Sequence, residues 1–170
     1  MNHRDLWALE LDSMEWVELD DGELVTPIAR FGAEITYAPS LDLYVLFAGH
    51  SNDDVGNRND MWFFDPAQGG WTRDSREDRD PTEPRGFCDF PPDYVTVDKN
   101  LPERRSSHTF LWTESCDRAV LYAGKTDCGS LDDVWHWSTD EDWDRVLRAT
   151  EGESCLRWRD DPDDCSNICN

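Results

Sequence analysis

Basic residues are scarce in this sequence. Lysine occurs only as Lys99 and Lys125, and 16 Lys and Arg stand against 38 Asp and Glu, a net charge of −22. Binding a phosphate backbone requires a basic surface, so nucleic acid is excluded as a partner class. Anionic membrane surfaces are disfavoured for the same reason. Long apolar runs are missing too: nothing approaches the roughly 20 residues that span a bilayer, so membrane insertion is not expected. There is no G-x-x-x-x-G-K-[ST] phosphate loop and no H-E-x-x-H pair. His3, His50, His108 and His136 are scattered without i, i+4 partners. The spacing Cys165-x3-Cys169 is by itself a weak metal signature. Ser107 and His108 are adjacent and would point to opposite faces of a strand. Ser106 and His108 can share a face but lack a third group to orient the imidazole. These absences point to a protein with no catalytic residues, no metal and no cofactor, hence not an enzyme; an enzyme is the least favoured of the alternative readings.

Aromatic residues are plentiful by contrast. Nine Trp and seven Phe supply large buried area, which disordered chains lack. Six cysteines, Cys88, Cys116, Cys128, Cys155, Cys165 and Cys169, form an even set that suggests disulfides and an oxidising compartment. The stretch from Met1 to Trp7 contains no apolar signal core. The expectation is therefore an excerpt of an extracellular or periplasmic protein, its export signal lying elsewhere. The acidic excess reads first as a hydrated surface. Its alternative is a structural or surface protein stabilised by cations, although Asn52-Asp53-Asp54 falls short of a full Ca²⁺ loop.

The chain repeats itself. Asp5-Leu6-Trp7 recurs as Asp60-Met61-Trp62 and as Asp133-Val134-Trp135, and a second Trp follows each, at Trp16, Trp71 and Trp143. Pro27 precedes Arg30 by three residues, as Pro102 precedes Arg105. Apolar runs then end in a small pair, Leu43 to Ala48-Gly49 and Ala119 to Ala123-Gly124. β-branched and aromatic residues between Gly, Asn, Asp and Pro punctuation read as short strands near 32–38, 43–48, 60–65 and 70–73, then 107–113, 119–123, 133–138 and 143–148. Helical periodicity is confined to a weak candidate near Asp142 to Arg148. Four strands per repeat of about 50 residues is the arithmetic of a propeller blade.

The order Pro-x-x-Arg, apolar strand, Leu43-Tyr44-Val45-Leu46-Phe47-Ala48-Gly49, Asn59-Asp60-Met61-Trp62-Phe63-Phe64-Asp65, Trp71 resembles the Kelch repeat. His108 stands where that family often has a His. The resemblance implies an all-β fold of Kelch-type β-propeller blades, each of four antiparallel strands, in an incomplete ring. Residues 1–22 would form half a blade, 23–75 a blade, 76–101 an inserted loop, 102–150 a blade, and 151–170 a Cys-rich polar tail. Trp16, Tyr44, Trp62, Trp71, Tyr122, Trp135 and Trp143 would fill the space between blades. Arg30 and Arg105, at one repeat position, suggest a structural salt bridge or carbonyl contact.

Loops vary on such a frame and carry binding. The loop after each second strand and the link between blades share one face. Asn52, Asp53, Asp54, Arg58, Phe87, Phe90 and Tyr94 are thus the candidate binding residues, for a protein or glycan partner. About five strand residues, or roughly 17 Å, separate Cys116 from Cys128, beyond the ~7 Å reach of a disulfide. Cys88 with Cys128, and a local bond among Cys155, Cys165 and Cys169, are the better candidates. Blades cannot bury their faces alone, so further blades or self-association are expected to close the ring.

Overall fold

The computed structural model describes residues 3–20, 25–51, 56–74, 100–126 and 129–148. Among these the fold is all-β. The ten strands are β1 (Leu6–Glu10), β2 (Glu15–Asp20), β3 (Glu34–Ala38), β4 (Leu43–His50), β5 (Asn57–Asp65), β6 (Gly70–Arg73), β7 (Thr109–Thr113), β8 (Arg118–Thr126), β9 (Gly129–Ser138) and β10 (Asp142–Leu147). They form an antiparallel hairpin, β1-β2, and two four-stranded antiparallel meanders, β3-β4-β5-β6 and β7-β8-β9-β10. The helical candidate at Asp142 to Arg148 is a strand instead, because Trp143 pairs with Trp137 and Arg145 with Trp135. Tertiary pairing overrides a short helical pattern.

The turns carry a signal that composition hides. Met14, Gly69 and Asp142 end the outer hairpin turns with φ of 58°, 67° and 61°, and Asp42 and Asp117 do so in the inner hairpins at 54° and 49°. Gly and Asp tolerate this left-handed conformation, whereas Met14 takes it at a cost.

The two meanders pack face to face around one core. Val45, Phe47 and Met61 of the first meet Phe110, Leu121, Trp135 and Trp137 of the second. Phe47 is the hub, its ring 4.9 Å from Trp143 and 5.6 Å from Phe110. Burying such a side chain contributes about 1.5–3 kcal/mol. Backbone bonds fasten the sheets as well. Gly49 N donates to Arg105 O at 2.9 Å, Arg105 N to Arg58 O at 2.9 Å, and Ser107 N to Gly32 O at 2.8 Å. Strand β3 lies beside β7, and Trp112 N donates to Thr36 Oγ1 at 3.0 Å.

Of the aromatics expected in the core, Trp62 and Trp135 are buried, and Trp71 and Trp143 are partly buried. Three are not core. Trp16 is 65% exposed, Tyr122 50% and Tyr44 38%. Trp16 sits on an exposed face of the β1-β2 hairpin, and Tyr122 on the outer face of the second meander. Tyr44 pairs with Tyr37 on the side of the first meander that bears the partly exposed Ile35. Alternation predicts the face of a side chain, not whether another sheet covers that face.

Ala48-Gly49 and Ala123-Gly124 form bulges in β4 and β8, where the register shifts. The alanines have φ of 57° and 58°, so both residues of each pair leave the usual L-region. Gly124, at φ +118°, has no room for a methyl: a Cβ would lie 2.9 Å from His108 Cβ and 3.1 Å from Ser106 O. Gly124→Ala is expected to cost more than about 2 kcal/mol in urea unfolding, from strain and overlap together. Ala123→Gly, its control, should stay within about 1 kcal/mol of the parent. Equal costs for the two would refute this account of the bulge.

Candidate binding surface

The end of the sheets where β4 turns into β5 is built on two copies of one polar unit. Asp60 and Asp133 each stand two residues before a Trp on a strand, so acid and indole share a face. Trp62 Nε1 donates to Asp60 Oδ2 and Trp135 Nε1 to Asp133 Oδ2, both at 2.7 Å. An arginine from the segment before each inner strand then closes on the acid. Arg30 donates to both oxygens of Asp60 at 2.6 and 2.8 Å, and Arg105 to both oxygens of Asp133 at 2.6 and 2.9 Å. The same guanidinium groups donate to the carbonyls of Ala48 and Ala123, each at 2.8 Å. Those are the carbonyls left unpaired by the bulges. The arginines thus make both the salt bridge and the carbonyl contact that their repeat position suggests.

Burial makes these pairs strong. The Arg105 and Asp133 side chains are 0% and 1% exposed. Burial pushes the Asp60 carboxyl up, but the hydrogen bonds and charge of Arg30, with the Trp62 indole, outweigh it and hold Asp60 below its ordinary value. The third copy, Asp5 and Trp7, keeps the indole bond at 2.7 Å but lies at the surface, with no arginine across it among the described residues.

Around these units lies a belt of buried polar residues, Ser51, Asn57, Asn59, Glu103, Arg104 and Thr126, of which the repeat pattern singled out only Asn59. Asn59 Nδ2 donates to Pro102 O at 2.9 Å and ties β5 to the link between the sheets. The Asn59-Asp60-Met61-Trp62 order was visible in the sequence, but the burial of Asn59 was not. His108 is buried beside the bulge, its ring edge-on to Phe47 at 5.5 Å. Neither ring nitrogen makes a well-formed hydrogen bond. Burial, and next the Arg105 charge, lower its pKa to about 3, opposed weakly by the Phe47 carbonyl. No serine among the described residues pairs with it.

Of the candidate loop residues, Arg58 is described, and it lies in strand β5 paired with Gly49 rather than in a loop. Its Nε donates to Ser51 Oγ at 3.1 Å, and its carbonyl accepts from Arg105 N, so it ties Ser51 and β5 to the segment before the second sheet. Asn52, Asp53, Asp54, Phe87, Phe90 and Tyr94 lie outside the described residues, as do Cys88, Cys128, Cys155, Cys165 and Cys169. Cys116 is an exposed free thiol. No group of three or more His, Cys, Asp or Glu placed to hold a metal occurs among the described residues. What this end offers chemically is a fixed rim of backbone and polar side chains, in which β5 lies beside the segment 102–105.

A comparison with protein-family models finds none that matches the chain, and a comparison with curated proteins also finds no match.

Proposed function

We propose that this chain is part of a Kelch-type β-propeller and acts as a non-catalytic interaction scaffold, binding a protein or glycan through loops at the rim. The observation that carries this reading is the shared anchoring of the two connections. The Arg58–Ser51 bond, the Arg58–Arg105 backbone bridge and the Asn59–Pro102 bond hold the β4–β5 loop and the inter-sheet link at one end. Rigid anchoring lowers the ordering cost of binding, which is what a loop-based binder needs. The buried Arg–Asp–Trp units supply the stiffness and are consumed by it, which leaves the loops to recognise the ligand.

The test is a loop exchange. Glycan and peptide arrays are probed with the monomeric parent and with a variant whose residues 52–55 are replaced by Gly and Ser. Signals that fall at least tenfold in the variant, at unchanged Tm, support the reading. Signals that are equal for the two proteins, or missing for the parent on both arrays, overturn it.

A further inference from the structure

The repeat places equivalent side chains on equivalent faces. In the hairpin, Leu9 pairs with Trp16, and Trp7 lies two residues along on the same face. The corresponding sets are Trp62, Phe64 and Trp71 in the first meander, and Trp135, Trp137 and Trp143 in the second. In the second meander this face is inserted against the first: Trp143 lies 4.9 Å from Phe47, and Trp137 lies 5.5 Å from Phe63. The receiving positions recur too. Phe47 follows Arg30 by the same interval as Tyr122 follows Arg105, and Phe63 follows Asp60 as His136 follows Asp133.

Among the described residues, one molecule therefore carries both halves of this interface unused. At one end Trp7 and Trp16 are 46% and 65% exposed; at the other, Tyr122 and Val146 are 50% and 53% exposed. We propose that a second copy of this chain docks head to tail, its Trp7, Leu9 and Trp16 face seated on the Tyr122, His136 and Val146 face of the first. The contact continues the interface already present within the chain, with Trp16 of one copy against Tyr122 of the next. It rests on the blade reading above and adds the partner and the surfaces. Because the two surfaces differ, the contact is heterologous and repeats until a ring closes or a filament grows. A charge of −22 on each copy opposes it, and salt relieves that opposition, since the screening length falls from about 8 Å at 0.15 M to about 3 Å at 1 M.

Sedimentation velocity under reductant, at about 0.15 M and about 1 M NaCl, tests this with the parent, Trp16→Glu, Tyr122→Glu and their equimolar mixture. The parent should associate with rising concentration, at least tenfold more tightly at the higher salt. Each variant alone should be monomeric. The mixture should give a one-to-one pair and nothing larger, because each variant retains the face the other lost. Both sites are exposed, so thermal melts should match the parent; if a variant melts early, Trp16→Ser and Tyr122→Ser replace the pair. A parent that is monomeric at both salt levels, variants that associate like the parent, or a mixture that does not pair would overturn the proposal. The loop exchange is read on monomer, so failure here leaves it standing.

Discussion

Arg105→Met is expected to lower the unfolding free energy by about 3–5 kcal/mol, the scale for breaking a buried ion pair on one side. Arg105 donates to four acceptors: both oxygens of Asp133, the Ala123 carbonyl and the Glu103 carbonyl, the last at 2.8 Å. Removing the guanidinium leaves a carboxylate that is 1% exposed facing a bulge carbonyl that has also lost its donor. Small domains hold only about 5–15 kcal/mol in total, so the change takes a large share. Adding Asp133→Leu should recover part of the loss, since the second change removes the stranded charge. Recovery should be incomplete, because the Trp135 indole then loses its acceptor. Urea unfolding followed by tryptophan fluorescence measures both. A loss below about 1 kcal/mol, the range of an exposed pair, would show that the unit does not hold the sheet.

The second large effect is an acid sensitivity traceable to one residue. The His108 pKa is lowered from its ordinary 6.5 to about 3 in the folded chain. The unfolded chain therefore takes up this proton first as pH falls. Stability from the neutral ring is complete above pH 6.5 and is lost as pH drops towards 3. Over about two pH units that amounts to roughly 2–3 kcal/mol, at 1.36 kcal/mol per unit. His108→Phe keeps an aromatic ring beside Phe47 and removes the proton site. The Arg105 guanidinium, whose charge opposes protonation, remains in the variant, so it cancels in the comparison. Asp60 is held below its ordinary value and loses its contribution only at still lower pH, so the comparison is made between about pH 7 and about pH 4.5. The difference in stability between parent and variant should shrink, or turn in the variant's favour, by roughly 2–3 kcal/mol across that interval. Parallel pH curves for the two proteins would remove His108 as the cause.

The strand plan was legible because it rests on local facts. Alternation, the Asp-x-Trp spacing and the Pro-x-x-Arg offset are properties of neighbours in the chain, and they identified four strands per unit and the partnered arginines. The contributions of Arg30 and Arg105 could be read this way because each recurs at one position of a repeat. What surrounds a face is not a local property. Trp16 and Trp143 occupy the same repeat position, yet one is 65% exposed and the other packs against Phe47 at 4.9 Å. Only the stacking of sheets distinguishes them. The bulge was half legible: Ala48-Gly49 and Ala123-Gly124 stood out as small pairs, but the positive φ of the alanines arises from the register shift between strands. His108 illustrates the same division. The sequence by itself determined its place, three residues after Arg105 and immediately before β7. The tertiary structure alone decided that its ring is enclosed between two sheets beside a buried guanidinium, because desolvation depends on what the rest of the chain brings around a group, and not on the residues next to it.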